Sequence, residues 1–355
     1  MPIFGHDVCC VDKDAGKIER LLDGVMPIYE PGLDDLVARN VEAGRPRFTT
    51  DLAEGVKDAD AVFIGVGTPS RKGDGHADPS YVYAAAAEIG KAITVYTVIV
   101  TKSTVPVGTG DEVERIIREA NPDAQFGVVS NPEFRRKGAA IDDFKRPDRI
   151  VIGSDDERAT EVMRQVYRPL YLDQAPIMVT ERRTAELIKY AGNAFLATKI
   201  TFINEIADLC EQVGANVQEV ARGTGLDNHI GSKFLHAGPG YSGSCFPKDM
   251  LALLETSQDY KAPQRIVEAV VAVNDQRKRA MGHKVIAAMG GEIRGKTVAV
   301  LGLAFKQNTD DMRDSPAIAV IQALLDAGAK VRAYDPEAME QAKPLLPTIE
   351  YPKGS

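Results

Sequence analysis

Short apolar runs separated by helical patterns set the tightest limit on what this chain can fold into. Four fall in its first half: His6-Asp7-Val8-Cys9-Cys10-Val11-Asp12, Ala61-Val62-Phe63-Ile64-Gly65-Val66, Thr97-Val98-Ile99-Val100 and Phe126-Gly127-Val128-Val129-Ser130. Runs of this length read as buried strands, and strands alternating with helices build a parallel sheet. In such sheets the loops at strand carboxyl ends carry the ligand chemistry. Those loops hold Asp12, Gly67-Thr68-Pro69, Thr101-Lys102-Ser103-Thr104 and Asn131-Pro132-Glu133. An acid closing a strand, as Asp12 does, binds the adenosine ribose hydroxyls in dinucleotide folds. A loop aspartate with no ligand is the plainer alternative.

From about residue 184 to residue 288 the pattern is helical. Lys189 and Asn193 stand four apart in one long helical stretch, so they project from one face. An ammonium and an amide converging on one point form an oxyanion-stabilising pair. A polar stripe facing solvent would show the same spacing. The helical stretch is interrupted from Ser242 to Pro247, within Gly240-Tyr241-Ser242-Gly243-Ser244-Cys245-Phe246-Pro247-Lys248-Asp249. A helix starting near Pro247 places the Cys245 thiol at its N-terminus, where the dipole and Lys248 favour thiolate. A thiolate there attacks an aldehyde carbon; a buried structural cysteine is the alternative. Cys9, Cys10 and Cys210 fall on strand or helix positions and are expected to be mostly buried. Lys296-Thr297-Val298-Ala299-Val300-Leu301-Gly302 then opens a second α/β unit, with Pro316 near a helix start and Lys330-Val331-Arg332-Ala333-Tyr334-Asp335 as the next strand, again closed by an acid.

The expected fold is therefore α/β in three parts. Residues 1–180 form a Rossmann-like dinucleotide domain, 181–290 an all-helical substrate and dimerisation domain, and 291–355 a partial second Rossmann-like domain. A length of 355 residues suits two or three domains. The net charge of −8 argues against nucleic-acid or anionic-membrane partners. Four cysteines make no disulfide framework, and five scattered histidines give no metal-ligand spacing. No charged-then-apolar signal pattern and no apolar run approaching ~20 residues is read in the sequence. The expected location is the cytoplasm.

The segments around Lys189 and Cys245 resemble the nucleotide-sugar 6-dehydrogenases, the UDP-glucose 6-dehydrogenases most closely. Further matches follow in family order: Tyr29-Glu30-Pro31-Gly32-Leu33, Gly65-Val66-Gly67-Thr68-Pro69, Lys102-Ser103-Thr104-Val105-Pro106-Val107-Gly108, Ser130-Asn131-Pro132-Glu133-Phe134 and Gly302-Leu303-Ala304-Phe305-Lys306-Gln307-Asn308-Thr309-Asp310-Asp311-Met312-Arg313. The resemblance implies oxidation of a sugar's primary alcohol to a carboxylate with two NAD⁺ and one water, through a cysteine thiohemiacetal and a thioester. It makes Cys245 the nucleophile, Lys189 and Asn193 the oxyanion clamp, and Asp249 the group that orients water or moves protons. Glu133 assists thioester hydrolysis and Thr104 positions water. NAD falls to Asp12, Lys17, Thr68, Ser103, Thr104, Lys248 and Arg313. UDP-glucose falls to Glu133, Lys189, Asn193, Phe234, Tyr241, Gly243, Phe305, Lys306 and His229. A homodimer built on the helical middle is expected. Siblings acting on GDP-mannose or a UDP-N-acetylhexosamine, or a non-catalytic dimerising paralogue, are the alternatives.

Several positions depart from the family pattern. Arg135-Arg136-Lys137-Gly138 follows Phe134, so Lys137 replaces a glutamate near the nicotinamide. Ser242 stands where a glycine is usual, and would be strained if the backbone there has positive φ. His229 replaces an arginine that reaches the partner subunit's substrate. The chain is also expected to lack the first βα unit, with its Gly-rich pyrophosphate loop, and the end of the C-terminal domain. Without the central strand two internal sheet edges stay unpaired, the N-terminal domain is poorly ordered, and UDP-glucose is not turned over.

Overall fold

Apolar runs that begin after a turn and end in a polar loop become the strands β1 (Val8–Val11), β3 (Ala61–Ile64), β4 (Thr97–Thr101) and β5 (Phe126–Ser130). The computed structural model, which describes residues 2–69, 77–172 and 175–352, adds β2 (Pro46–Thr49), β6 (Ile150–Gly153) and β7 (Ile177–Thr180) to these. The chain divides into two compact units, Met1–Lys189 and Tyr190–Ser355.

In the first unit β3 to β7 form a five-stranded sheet in sequence order. Its neighbours are parallel except β5 and β6, which are antiparallel. Both faces are covered, as a parallel sheet requires. On one face Ile99 and Val128 pack with Val82, Ile89, Val113 and Ile117 of helices Ser80–Ala92 and Thr109–Ala120. On the other, Val98, Val100 and Val129 pack with Met163, Tyr167 and Leu170 of helix Glu157–Leu172. The period-2 alternation along β4 sends neighbouring residues into these two cores.

β1 and β2 stand apart as a parallel two-stranded ribbon. β1 has one strand neighbour, and β3 is an edge, among the described residues. Side chains fasten this N-terminal region to the rest of the unit. Phe4 stacks on Phe144 at 5.6 Å, His6 Nε2 lies 3.0 Å from the Val166 carbonyl, and Lys13 pairs with Glu88 at 2.6 Å. The Glu30 carboxylate accepts from the Gly138 and Ala140 N–H groups at 2.8 and 2.7 Å. The half-covered ribbon corrects one expectation: Cys10 is exposed, because β1 is not buried between two strands. Cys9 is half-buried and Cys210 is buried.

The second unit takes most of helix Arg182–Val213, then helices Val217–Gly225, Phe246–Asp259 and Arg265–Ala288. The break between the second and third of these runs over residues 226–245, wider than the sequence pattern suggested. A parallel pair, β8 (Thr297–Leu301) and β9 (Lys330–Tyr334), follows. Helix Pro316–Asp326 has Pro316 in its first turn and Ser315 as its N-cap, accepting from Ala317 N. Leu303, Ile321, Leu324 and Val331 close this core. No helix among the described residues is long and apolar enough to cross a membrane.

Candidate active site

The first unit gathers its site residues at strand carboxyl ends. Asp12 follows β1 and pairs with Lys17, in the first turns of helix Ala15–Leu22. That bond, with an N–H from Asp14, holds the Asp12 carboxyl below its ordinary value. The loops after β3 and β4 are tied together. Thr68 Oγ1 donates to the Thr104 carbonyl at 2.9 Å, and Ser103 Oγ donates to the Val66 carbonyl at 2.6 Å. Ser103, Thr104, Pro132 and Lys189 line one cleft with Glu186. Lys189 is 7 % exposed, and its ammonium lies 5.3 Å from the centre of the Phe134 ring.

Glu133 sits beside this cleft under heavy charge. Its Oε1 accepts from the Phe134 and Arg135 N–H groups at 2.8 and 3.1 Å. Its Oε2 lies 2.5 Å from Arg135 Nε and 3.5 Å from Lys102 Nζ. Burial alone would raise the Glu133 carboxyl, but Lys102, Arg135 and the two N–H groups outweigh it and leave the group below its ordinary value. Lys102 in turn donates to Asn131 Oδ1 at 3.1 Å, where Tyr167 OH also donates. Lys137 is exposed.

In the second unit Cys245 is the N-cap residue of helix Phe246–Asp259, and its side chain is exposed. One turn on, Asp249 is 1 % exposed. It accepts from Asn193 Nδ2 at 2.6 Å and lies 3.6 Å from Lys248 Nζ. Asn193 is one turn beyond Lys189 on helix Arg182–Val213, so the expected spacing is met.

The loop before Cys245 is shaped by two glycines. Gly240 has φ +128 and Gly243 φ +85. A Cβ on Gly243 would stand 2.7 Å from Phe305 Cε2, so the Phe305 ring packs directly on backbone. Ser242 is not among the residues of positive φ. The strain expected of a serine there is absent, because the left-handed turns fall on the neighbouring glycines. Asn274 fixes this loop, accepting from Tyr241 N at 2.8 Å and donating to the Tyr241 carbonyl at 3.1 Å. Phe234, held at φ +66, and Tyr241 both contact Phe246, at 6.3 and 6.1 Å between ring centres. The Lys306 ammonium lies 5.5 Å from the Phe305 ring centre.

Arg313 is clasped by Asp311, with Nε to Oδ1 at 2.8 Å and Nη2 to Oδ2 at 2.7 Å. The Asp311 carboxylate holds its guanidinium above the ordinary value. His229 stands apart on an exposed loop, its side chain 96 % exposed and 2.9 Å from Asp227. Asp335, the acid after β9, is buried and accepts from the N–H groups of Leu303, Ala304, Glu337 and Ala338.

Three family models match the chain. They are the NAD binding domain of the UDP-glucose/GDP-mannose dehydrogenase family over residues 1–171, its central domain over 183–276 and its UDP binding domain over 299–353. The chain belongs to the UDP-glucose/GDP-mannose dehydrogenase family. Within this family it is 72 % identical over 349 residues to a UDP-glucose 6-dehydrogenase of Rhizobium meliloti (strain 1021), covering 98 % of this chain and 80 % of the relative. A UDP-glucose 6-dehydrogenase of Bacillus subtilis (strain 168) is 48 % identical, over 98 % of this chain and 75 % of its own length. The fold is similar to a solved UDP-glucose dehydrogenase from Pyrobaculum islandicum, with a TM-score of 0.94 and 42 % identity over 99 % of this chain and 82 % of that one.

Sequence reading missed Glu186, Lys102, Asp311 and Asn274 as supports of the site. Glu186 had a signal: it stands three residues before Lys189, on the same helical stripe.

Proposed function

We propose that the protein is a UDP-glucose 6-dehydrogenase, oxidising the primary alcohol of UDP-glucose to the carboxylate of UDP-glucuronate in two NAD-dependent steps. The observation that carries this is the setting of Cys245: an exposed thiol at a helix N-terminus, one turn from a buried aspartate that Asn193 holds. A one-step alcohol oxidation needs no such thiol. The identity of 72 % to a UDP-glucose 6-dehydrogenase supports UDP-glucose over GDP-mannose as substrate.

The residues present fit a dinucleotide at its ribose end, where Asp12 keeps a charged carboxylate at the close of β1. Asp12 and Lys17 would hold it there, with Thr68, Ser103 and Thr104 at the ends of β3 and β4; the family resemblance adds Lys248 and Arg313. NAD⁺, when bound, would supply a one-hydride acceptor, so the two oxidations would take two NAD⁺ in turn.

The chain's own groups do the rest. The alcohol proton leaves to a base as the first hydride departs, giving an aldehyde. The Cys245 sulfur then forms a bond to the aldehyde carbon, and the carbonyl oxygen becomes the thiohemiacetal oxygen. Lys189 and Asn193 donate to that oxygen and favour the charge it develops. Loss of the second hydride from the same carbon leaves a thioester on Cys245. Glu133, ionised between Lys102 and Arg135, takes a proton from a water that Thr104 helps to place. That water adds to the thioester carbon, the C–S bond breaks, and the thiol is regenerated. Asp249 orients the Asn193 amide and moves protons at the thiol. Phe234, Tyr241, Gly243, Phe305 and Lys306 form the UDP-sugar side. His229 would serve a second copy of the chain, in a homodimer. The cytoplasm, which supplies both substrates, is the proposed location.

The deciding experiment is NADH formation from UDP-glucose and NAD⁺, with GDP-mannose and a UDP-N-acetylhexosamine in parallel. Two NADH per UDP-glucose consumed is the expected result, in place of the sequence expectation of no turnover, because the identity to a UDP-glucose 6-dehydrogenase runs over 98 % of this chain. One NADH per sugar, with aldehyde released, would overturn the two-step reading.

A further inference from the structure

Helix Thr109–Ala120 has no cap of its own: its N-cap position is Gly108, at φ +94, with no side chain to accept from the first turn. A serine or aspartate at that position would serve locally. Instead Glu186 supplies the acceptor from 78 residues away. Its Oε2 accepts from Gly108 N at 2.6 Å, and its Oε1 from Gly110 N at 2.8 Å and Ser130 Oγ at 2.9 Å. The residue is 3 % exposed. A buried carboxylate is a costly cap, and this one also demands glycine at 110. A Cβ there would stand 2.9 Å from Ser130 Oγ and 3.1 Å from Glu186 Oε1. What a local cap lacks is reach. Glu186 joins the start of helix Arg182–Val213, the turn after Thr104 and the end of β5 at one point. Lys189, one turn on, lines the same cleft as Thr104 and Glu186.

We propose that Glu186 is a positioning residue for Lys189, locking the start of its helix to residues 104–110 so that the ammonium stays in the cleft beside Thr104. This rests on the reading of Lys189 as an oxyanion-stabilising group. Such a group acts only where charge develops, and a displacement of about 1 Å costs about a hundredfold in rate.

The test is Glu186→Gln, which keeps the length but turns an amide NH₂ toward at least one N–H donor. The expected result is a kcat lower by about 10- to 100-fold, with KM within about twofold and a cooperative thermal transition. A lower Tm with unchanged kcat per folded molecule would overturn the proposal. Ser130→Ala removes one donor more gently and should move kcat the same way by about threefold; no change in kcat there, in folded protein, also overturns it. A readout free of turnover is the acylation rate of Lys189 relative to exposed Lys137, followed by mass spectrometry. Glu186→Gln should raise that ratio by about threefold or more as the lock opens, and an unchanged ratio overturns the lock. Failure of the dehydrogenase reading would look different: no NADH from the unmodified protein, with the labelling ratio still responding.

Discussion

Gly243 is the residue at which backbone freedom and packing coincide. Its φ of +85 and the Phe305 ring 2.7 Å from a built Cβ both exclude a side chain. Gly243→Ala should cost about 2–3 kcal/mol, read as a lower Tm, and should weaken UDP-glucose binding as Phe305 moves. Cys245→Ser should keep the fold, since the thiol is exposed, while forming no UDP-glucuronate; mass spectrometry of the products checks this. Glu133 gives a pH prediction. Its folded-state carboxyl lies below the ordinary value of 4.5. Stability from the ionised group is therefore present above that value and is lost as pH falls through the folded one. Glu133→Gln should remove this part of the acid dependence, so the stability gap between wild type and variant narrows as pH drops below about 4.5. Equal slopes in acid titrations followed by circular dichroism would refute it.

The elements show how much could be read in advance. Apolar runs gave β1, β3, β4, β5 and β8, the alternation of Lys330-Val331-Arg332-Ala333-Tyr334 gave β9, and Pro316 gave a helix start. β2 escaped because Pro46-Arg47-Phe48-Thr49 is short, starts with proline and carries a charge. β7 escaped because its ends are half-buried and its middle exposed, which blunts any pattern. β6 is four fully buried residues and should have been seen. At the site, the motif residues were legible because their chemistry is unusual in sequence. The groups that orient them were not, because a carboxylate such as Asp335 takes its meaning from amides 31 and 32 residues away. Asp335→Ala should strand four backbone N–H groups and cost about 3 kcal/mol, with faster amide exchange at Leu303 and Ala304 as the check.

At the scale of the molecule, helix Arg182–Val213 leaves an apolar stripe uncovered. Phe195, Phe202 and Leu209 recur every seven residues and are 65 %, 52 % and 56 % exposed. Such a row suits a second copy of the helix. Light scattering at micromolar concentration should give twice the 38.4 kDa chain mass, and Phe202→Glu should return it to one chain. The two α/β parts also differ at the acid that closes a strand. Each closes a strand with an acid, but the buried Asp335 takes four backbone N–H groups while Asp12, half-open, takes one N–H from Asp14 and pairs with Lys17. On the proposed role of Asp12, the described residues offer one seat for an adenosine ribose. Two oxidations through one seat require the first NADH to vacate it and a fresh NAD⁺ to arrive while the half-oxidised sugar waits. On the proposed mechanism the bond to Cys245 would keep the sugar waiting: a mooring whose lifetime must outlast one exchange of passengers.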